Sequence, residues 1–213
     1  MIKAVLFDYG GVYADSPFAA IDDVATDMGL DGELLKTITF GDFYNDGDHP
    51  WHRLEKGEIT LEQAREGILL EGEKHQLKTD IYEMFARFAG VDKTMCQPLI
   101  EKTLAWKEQG LLLAMVTNNL KEFSHWRDTF PYDVNEVYDV VFDSCLAGIR
   151  KPNPQVFIDV LKSLDIDASE AIFLDDHLPN IQSAESVGVR SFLVEGDIQS
   201  SIDWVEQQVK GVK

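Results

Sequence analysis

The spacing of apolar positions changes twice along the chain. Ile2-Lys3-Ala4-Val5-Leu6-Phe7 is a short, mainly apolar, β-prone run ending in Asp8 and the turn-forming pair Gly10-Gly11, the pattern of a buried strand. From Ser16 to about Gly90 only helical spacing and loops appear. Ser16 reads as an N-cap with Pro17 at the first helical position, Phe18, Ile21, Val24 and Met28 share one face, and Gly29 ends the helix. Thr60 and Gln63 form a capping-box pattern at the head of a later helix, and Thr79 to Ala89 is a further helical candidate.

Beyond that stretch, helix and strand alternate. A helix to Gln109 is ended by Gly110, strand Leu111 to Thr117 follows, then a helix near Glu122 and strand Tyr138 to Phe142. A helix from Pro154 carries Val156, Phe157, Val160, Leu161 and Leu164 on one face. It leads to strand Ala171 to Leu174, a helix to Val187 ended by Gly188, strand Ser191 to Val194 and a terminal helix. Such alternation implies an α/β fold, a doubly wound parallel sheet covered by helices on both faces. The first strand belongs to that sheet, so residues 1–15 and 91–213 form one core and residues 16–90 interrupt it as a small all-helical domain.

Bulk properties narrow the function. The 213 residues, 45% hydrophobic, suffice for one substantial core with an insert. The net charge of −19, from 38 acidic against 19 basic residues, repels a polyphosphate backbone or an anionic lipid surface, so neither nucleic acid nor membrane is an expected partner. No run approaches the roughly 18 to 20 apolar residues of a membrane span. The run Ala4 to Phe7 lies too near the N-terminus for a signal peptide. Cys96 and Cys145 match neither a disulfide framework nor a zinc spacing and read as reduced thiols, which fits the cytoplasm. The chain is expected as a monomer or homodimer.

In open α/β sheets ligands bind beyond the carboxyl ends of the strands. The first strand delivers Asp8 there, the second Thr117-Asn118-Asn119, the segment after the third Arg150-Lys151-Pro152, and the fourth Asp175-Asp176. Taken singly, these are a turn residue, a loop lysine and a helix-capping acidic pair. Taken together, carboxylates gathered without compensating cations repel one another, and a hard, oxygen-seeking cation resolves the conflict. Mg²⁺ is the natural candidate, with Lys151 and the donors of Thr117 and Asn118 available to the oxygens of a phosphoryl group.

Phe7-Asp8-Tyr9-Gly10-Gly11-Val12, Val116-Thr117-Asn118, Arg150-Lys151-Pro152 and Phe173-Leu174-Asp175-Asp176 resemble, in order, the four motifs of the haloacid dehalogenase-like superfamily. Residues 16–90 resemble its helical cap, inserted after the first motif. The resemblance implies a phosphomonoester hydrolase acting on a small phosphorylated substrate, in which Asp8 attacks phosphorus to give an aspartyl-phosphate that water hydrolyses. It implies that Thr117 and Lys151 steady the transferred group, and that Asp8, the Gly10 carbonyl and Asp176 coordinate Mg²⁺. Asp175 is then either a further ligand or the holder of a metal-bound water.

The chain departs from the usual pattern at Gly10, where most phosphatases of the superfamily carry a second Asp as general acid and base. The Phe-Asp-x-Gly-Gly-Val form looks like a branch that includes sugar-phosphate phosphatases. The leaving group itself, Asp15, or a cap residue such as His52 is expected to supply the proton transfer. Trp51 to Gly57 either faces the substrate or forms a surface turn with a half-buried Trp, while His49, His75 and His125 read as solvated. Two rivals stand beside the phosphatase: a metal-independent 2-haloacid dehalogenase, against which the acidic pair argues, and a non-catalytic binder of phosphate and metal.

Overall fold

The computed structural model describes residues 1–16, 21–42, 44–88 and 95–210. Five parallel strands form one sheet: β1 (Ala4–Phe7), β2 (Leu112–Thr117), β3 (Val140–Asp143), β4 (Ala171–Asp175) and β5 (Arg190–Leu193). Their spatial order is β3-β2-β1-β4-β5. The chain winds outward from β1 to β3, then returns to the other side of β1. That reversal makes the crevice between β1 and β4 the switch point where doubly wound sheets bind ligands.

Between β1 and β2 run α1 (Ile21–Met28), α2 (Gly32–Phe40), α3 (Pro50–Glu55), α4 (Leu61–Lys74), α5 (Ile81–Phe88) and α6 (Gln97–Glu108). A 3₁₀ stretch, Lys121–Thr129, and α7 (Val134–Val137) precede β3. Then come α8 (Ser144–Ala147) and α9 (Gln155–Leu164) before β4, α10 (Leu178–Ser186) before β5, and α11 (Ile198–Val209). The Thr60–Gln63 capping box heads α4 as expected. Gly29, Gly110 and Gly188, expected to end helices, all take positive φ. Pro17, Phe18, Ala89 and Gly90, which figure in the expected helical stretch, lie outside the described residues.

Strand alternation builds two apolar layers. Val5, Phe7, Leu113, Met115, Ile172 and Leu174 pack to one side with Trp106 of α6 and Ile202 and Val205 of α11. Ala4, Leu6, Ala114, Val116 and Phe173 pack to the other with Val156, Phe157 and Val160 of α9 and Ile181 of α10. The inserted helices have an apolar cluster of their own, Ile21, Phe40, Trp51, Leu54, Ala64, Ile68, Ile81 and Met84, to which the core lends Leu120. Trp51 and His52 therefore sit on a buried helix rather than in a surface turn: they are 6% and 1% exposed. His49, expected in solvent, is half-buried, and its Nδ1 accepts the Trp51 N–H to cap α3. No helix among the described residues is long and apolar enough to cross a membrane.

Candidate active site

Asp8 leaves the carboxyl end of β1, and Asp175 and Asp176 that of β4, its hydrogen-bonded neighbour. Phe7 pairs with Leu174, and the Asp8 N–H reaches the Leu174 carbonyl at 2.9 Å, so the register brings the acidic residues side by side. One carboxylate oxygen from each of Asp8, Asp175 and Asp176 lies within 4.8 Å of the other two. Lys151 enters this cluster from the loop before α9. Its ammonium, 1% exposed, stands 2.9 Å from Asp8 Oδ1 and 2.6 Å from Asp175 Oδ2, with the Phe173 ring centroid 5.4 Å away.

Three carboxylates against one ammonium is an unbalanced set, and proton affinities register it. Burial pushes the Asp8 carboxyl well above its usual range, Lys151 pulls it down, and Asp175 and Asp176 push it up again. Asp176 is pushed up to about 6 by burial and by the Asp175 charge, opposed by hydrogen bonding from Ser16. Burial alone would lower the Lys151 ammonium. Asp175 and Asp8 outweigh that effect, so its pKa rises and it stays charged.

The acidic pair divides into two environments. Asp175 is fully buried, and its carboxylate accepts the Lys151 ammonium, the His177 N–H at 2.8 Å and the Asn180 amide at 3.0 Å to both oxygens. Its acceptor capacity is largely used. Asp176 instead lies against the Gly10–Gly11 turn. Gly11 has φ +73°, and a Cβ placed there would overlap the Asp176 carboxylate, so both backbone conformation and space require glycine. Gly10 forms a bridge to Ala14 in the same turn.

Two other placements fix the loop around Asp8. Its Oδ1 accepts the Tyr9 N–H at 2.7 Å, and the Tyr9 ring packs on Trp126 and Phe130 while its hydroxyl meets Thr129 Oγ1 at 3.0 Å. Thr117, 4% exposed, ends β2 beside β1. Its hydroxyl makes one long contact, 3.3 Å to the Asn118 carbonyl, and is lightly committed.

Asn118 departs from the expectation in part. Its amide donates to the Lys151 carbonyl at 3.0 Å and its Oδ1 accepts the Lys151 N–H at 2.9 Å, so this side chain holds the lysine backbone and keeps one amide N–H beyond that bond. His52 departs too. It is buried, Nδ1 accepts the Gly47 N–H at 3.1 Å, and burial with the nearby Arg150 charge lowers its pKa to about 3. A neutral imidazole with that nitrogen occupied is no proton donor through it at neutral pH. Asp15 is exposed.

Sequence reasoning missed Asn180. Its only signal was its position four residues after Asp176, within the first turns of α10. Glu55 of α3 figured only as part of the Trp51 to Gly57 stretch; its partner was missed, for its Oε2 accepts Arg150 Nε at 2.7 Å across the boundary between inserted helices and core.

The chain belongs to the haloacid dehalogenase-like hydrolases, whose family model matches residues 2–188. It is 33% identical over 196 residues to acyl-CoA dehydrogenase family member 10 of Mus musculus, covering 91% of this chain and 18% of that protein. It therefore spans about a fifth of that longer relative. It is 30% identical to the sesquiterpene phosphatase astK of Aspergillus oryzae, over 88% of this chain and 87% of that one. Among solved structures, a haloacid dehalogenase-family enzyme of Bacteroides thetaiotaomicron in complex with magnesium and inorganic phosphate superposes with a TM-score of 0.65 at 20% identity. The match covers 95% of this chain and 99% of the other, a likeness of fold.

Proposed function

We propose that this chain is a magnesium-dependent phosphomonoester hydrolase working through an aspartyl-phosphate, with residues 16–90 as a cap over a core of residues 1–15 and 91–213. The observation that carries the reading is the convergence of the Asp8, Asp175 and Asp176 carboxylates within 4.8 Å around a single buried ammonium. A divalent cation offsets the remaining negative charge and suits hard oxygen donors. Asp8, Asp176 and the Gly10 carbonyl would hold it. Asp175, whose oxygens are taken by Lys151, Asn180 and the His177 N–H, instead orients the lysine. When bound, the ion neutralises phosphoryl charge and polarises the phosphorus toward attack.

The residues of the chain supply the rest. An Asp8 carboxylate oxygen forms a bond to phosphorus as the ester P–O bond breaks, and the leaving oxygen takes up a proton. Water then adds to phosphorus, the Asp8–phosphorus bond breaks, and inorganic phosphate departs. Lys151 and the Thr117 hydroxyl compensate the charge on the transferred oxygens. With Gly10 in place of a general acid and His52 neutral, proton transfer falls to solvent, the substrate or the exposed Asp15. General acid–base assistance contributes roughly 10² to 10⁴-fold, so acyl and aryl phosphates, whose leaving groups need least help, should outpace alkyl phosphates such as sugar phosphates. The fungal relative named for a sesquiterpene substrate supports a phosphate ester without defining its organic part.

The test is a panel of aryl, acyl, sugar and prenyl phosphates with Mg²⁺ and with chelator, beside Asp8→Asn. Expected are Mg²⁺-dependent release of phosphate and loss of at least about 10⁴-fold in kcat for Asp8→Asn. Phosphate binding without turnover on any ester would make the chain a binder. Chloroacetate dehalogenation surviving chelator would make it a dehalogenase.

A further inference from the structure

Glu55 lies at the end of α3, in the inserted helices, yet it makes two separate connections to the core. Its carboxylate accepts Arg150 Nε at 2.7 Å, and Arg150 immediately precedes Lys151. Its backbone carbonyl accepts the Ser144 hydroxyl at 2.7 Å, and Ser144 Oγ in turn accepts the Asn119 N–H at 2.9 Å. Asn119 is two residues past Thr117. The two routes close on each other, because Asn118 bonds both the N–H and the carbonyl of Lys151. Three residues along these routes are buried: Glu55 is 5%, Arg150 7% and Ser144 0% exposed, while Asn118 is half-buried.

We propose that Glu55 is a positioning residue: from the inserted helices it clamps the core loop that carries Lys151 and the segment that follows Thr117 at the end of β2, and so sets where the lysine ammonium sits between Asp8 and Asp175. The inference rests on the phosphatase reading above. A buried Arg–carboxylate pair is a costly way to hold two parts together, often no more stabilising than apolar residues of the same volume. Its worth here is directional. The second acid near Arg150, Asp46, stands 3.7 Å from Nη1, beyond hydrogen-bond reach, and that Nη1 has no hydrogen-bond partner among the described residues. Among the described residues Glu55 is therefore the hydrogen-bond acceptor that orients the guanidinium. Removing it frees Arg150, and the neighbouring Lys151 loses one of the constraints on its backbone.

The experiment compares Glu55→Ala, Glu55→Gln, Arg150→Ala, Ser144→Ala and the Glu55→Ala/Arg150→Ala double variant with wild type. Each is assayed for Mg²⁺-dependent hydrolysis of p-nitrophenyl phosphate well below its own unfolding temperature. Misplacing a catalytic group by about 1 Å costs roughly 10²-fold, so Glu55→Ala should lower kcat by about 10 to 10²-fold while KM moves by less than about threefold. Glu55→Gln keeps an acceptor for Arg150 Nε and should recover part of the loss. The double variant should be no slower than the slower single one, since both remove the same link.

A folded Glu55→Ala with wild-type kcat, or single effects that multiply in the double variant, would overturn the proposal. If Glu55→Ala does not fold, Glu55→Gln and Ser144→Ala decide, and wild-type kcat in both overturns it. A wild type that hydrolyses no phosphate ester sinks the phosphatase reading and this inference with it. An active wild type matched by its Glu55 variants sinks the inference alone.

Discussion

The inserted helices and the strand ends of the core both hold ion pairs, and they hold them in opposite ways. On α4, Lys74 meets Glu71 at 2.6 Å, three positions away along one helix, with side chains 64% and 33% exposed. At the strand ends Lys151 meets Asp8 and Asp175, drawn from distant parts of the chain, with side chains 1%, 13% and 0% exposed. Water can solvate either member of the first pair if the other is lost. The second set is sheltered from water, and its charges are balanced only by partners that folding brought together. Local spacing thus places charges that matter little, whereas sheet topology places charges that the fold must compensate. Excess of one sign at such a place reads as provision for a ligand of the other.

The largest effect that can test this contrast is loss of the central cation. Lys151→Met leaves Asp175 buried without its ammonium, and breaking a buried pair in this way typically costs about 3–5 kcal/mol. Urea denaturation should show that loss, together with the loss of phosphatase turnover. A cost under about 1 kcal/mol would mean that the strand-end charges are as replaceable as the surface ones.

Next in size is Gly11→Ala. The alanine meets both a left-handed backbone conformation and the Asp176 carboxylate. Strained backbone of this kind costs about 1–3 kcal/mol. Displacement of Asp176 should weaken Mg²⁺ binding by about tenfold or more in calorimetric titration. An unchanged affinity would remove Asp176 from the metal site.

Why the core was legible in more detail than the insert follows from the same contrast. Parallel strands buried on both faces must be continuous apolar runs, and their ends are marked by the abrupt polar residues Asp8, Thr117 and Asp175-Asp176. Those boundaries were therefore legible to within two residues, and so was the meeting of the acids with Lys151. The side-chain targets of Asn118 and His52 were not. An amide or imidazole is as able to serve a backbone as a ligand, and nothing in its own sequence neighbourhood says which. α2 and α3 escaped for another reason: at nine and six residues they are too short for a helical period to show in the sequence. Glu55 and Asn180 act only through tertiary contacts, with Arg150 and Asp175 respectively.

A smaller effect should appear with pH. Folded Asp176, at about 6, holds its proton more tightly than an unfolded carboxyl does, and Asp8 shifts in the same direction. Between about pH 4 and 6 the folded state therefore binds more protons than the unfolded one, and their contribution to stability falls as pH rises through that window. In chelator, wild type should lose stability from pH 4.5 to 6.5 relative to Asp176→Asn by about 1 kcal/mol, roughly 2–4 °C in Tm. Mg²⁺ binding to the ionised pair, as proposed, should return that stability above pH 6 and little below pH 4.5. A parallel pH dependence in wild type and Asp176→Asn would show that the acidic cluster is not under the stress its burial implies.

The smallest effect sharpens the contrast from the other side. Lys74→Ala removes a short surface contact whose distance, 2.6 Å, equals that of the buried Lys151–Asp175 pair. Were distance the measure of an ion pair, the two substitutions would cost alike. Exposure decides instead: Glu71 regains water when Lys74 goes, and the side-chain entropy that the pair had frozen is released. Lys74→Ala should change unfolding free energy by no more than about 0.5 kcal/mol, with a still smaller change at 1 M salt, where screening acts over about 3 Å. A cost near that of Lys151→Met, insensitive to salt, would show that α4 carries buried charge of its own and that the division between the two regions is drawn in the wrong place.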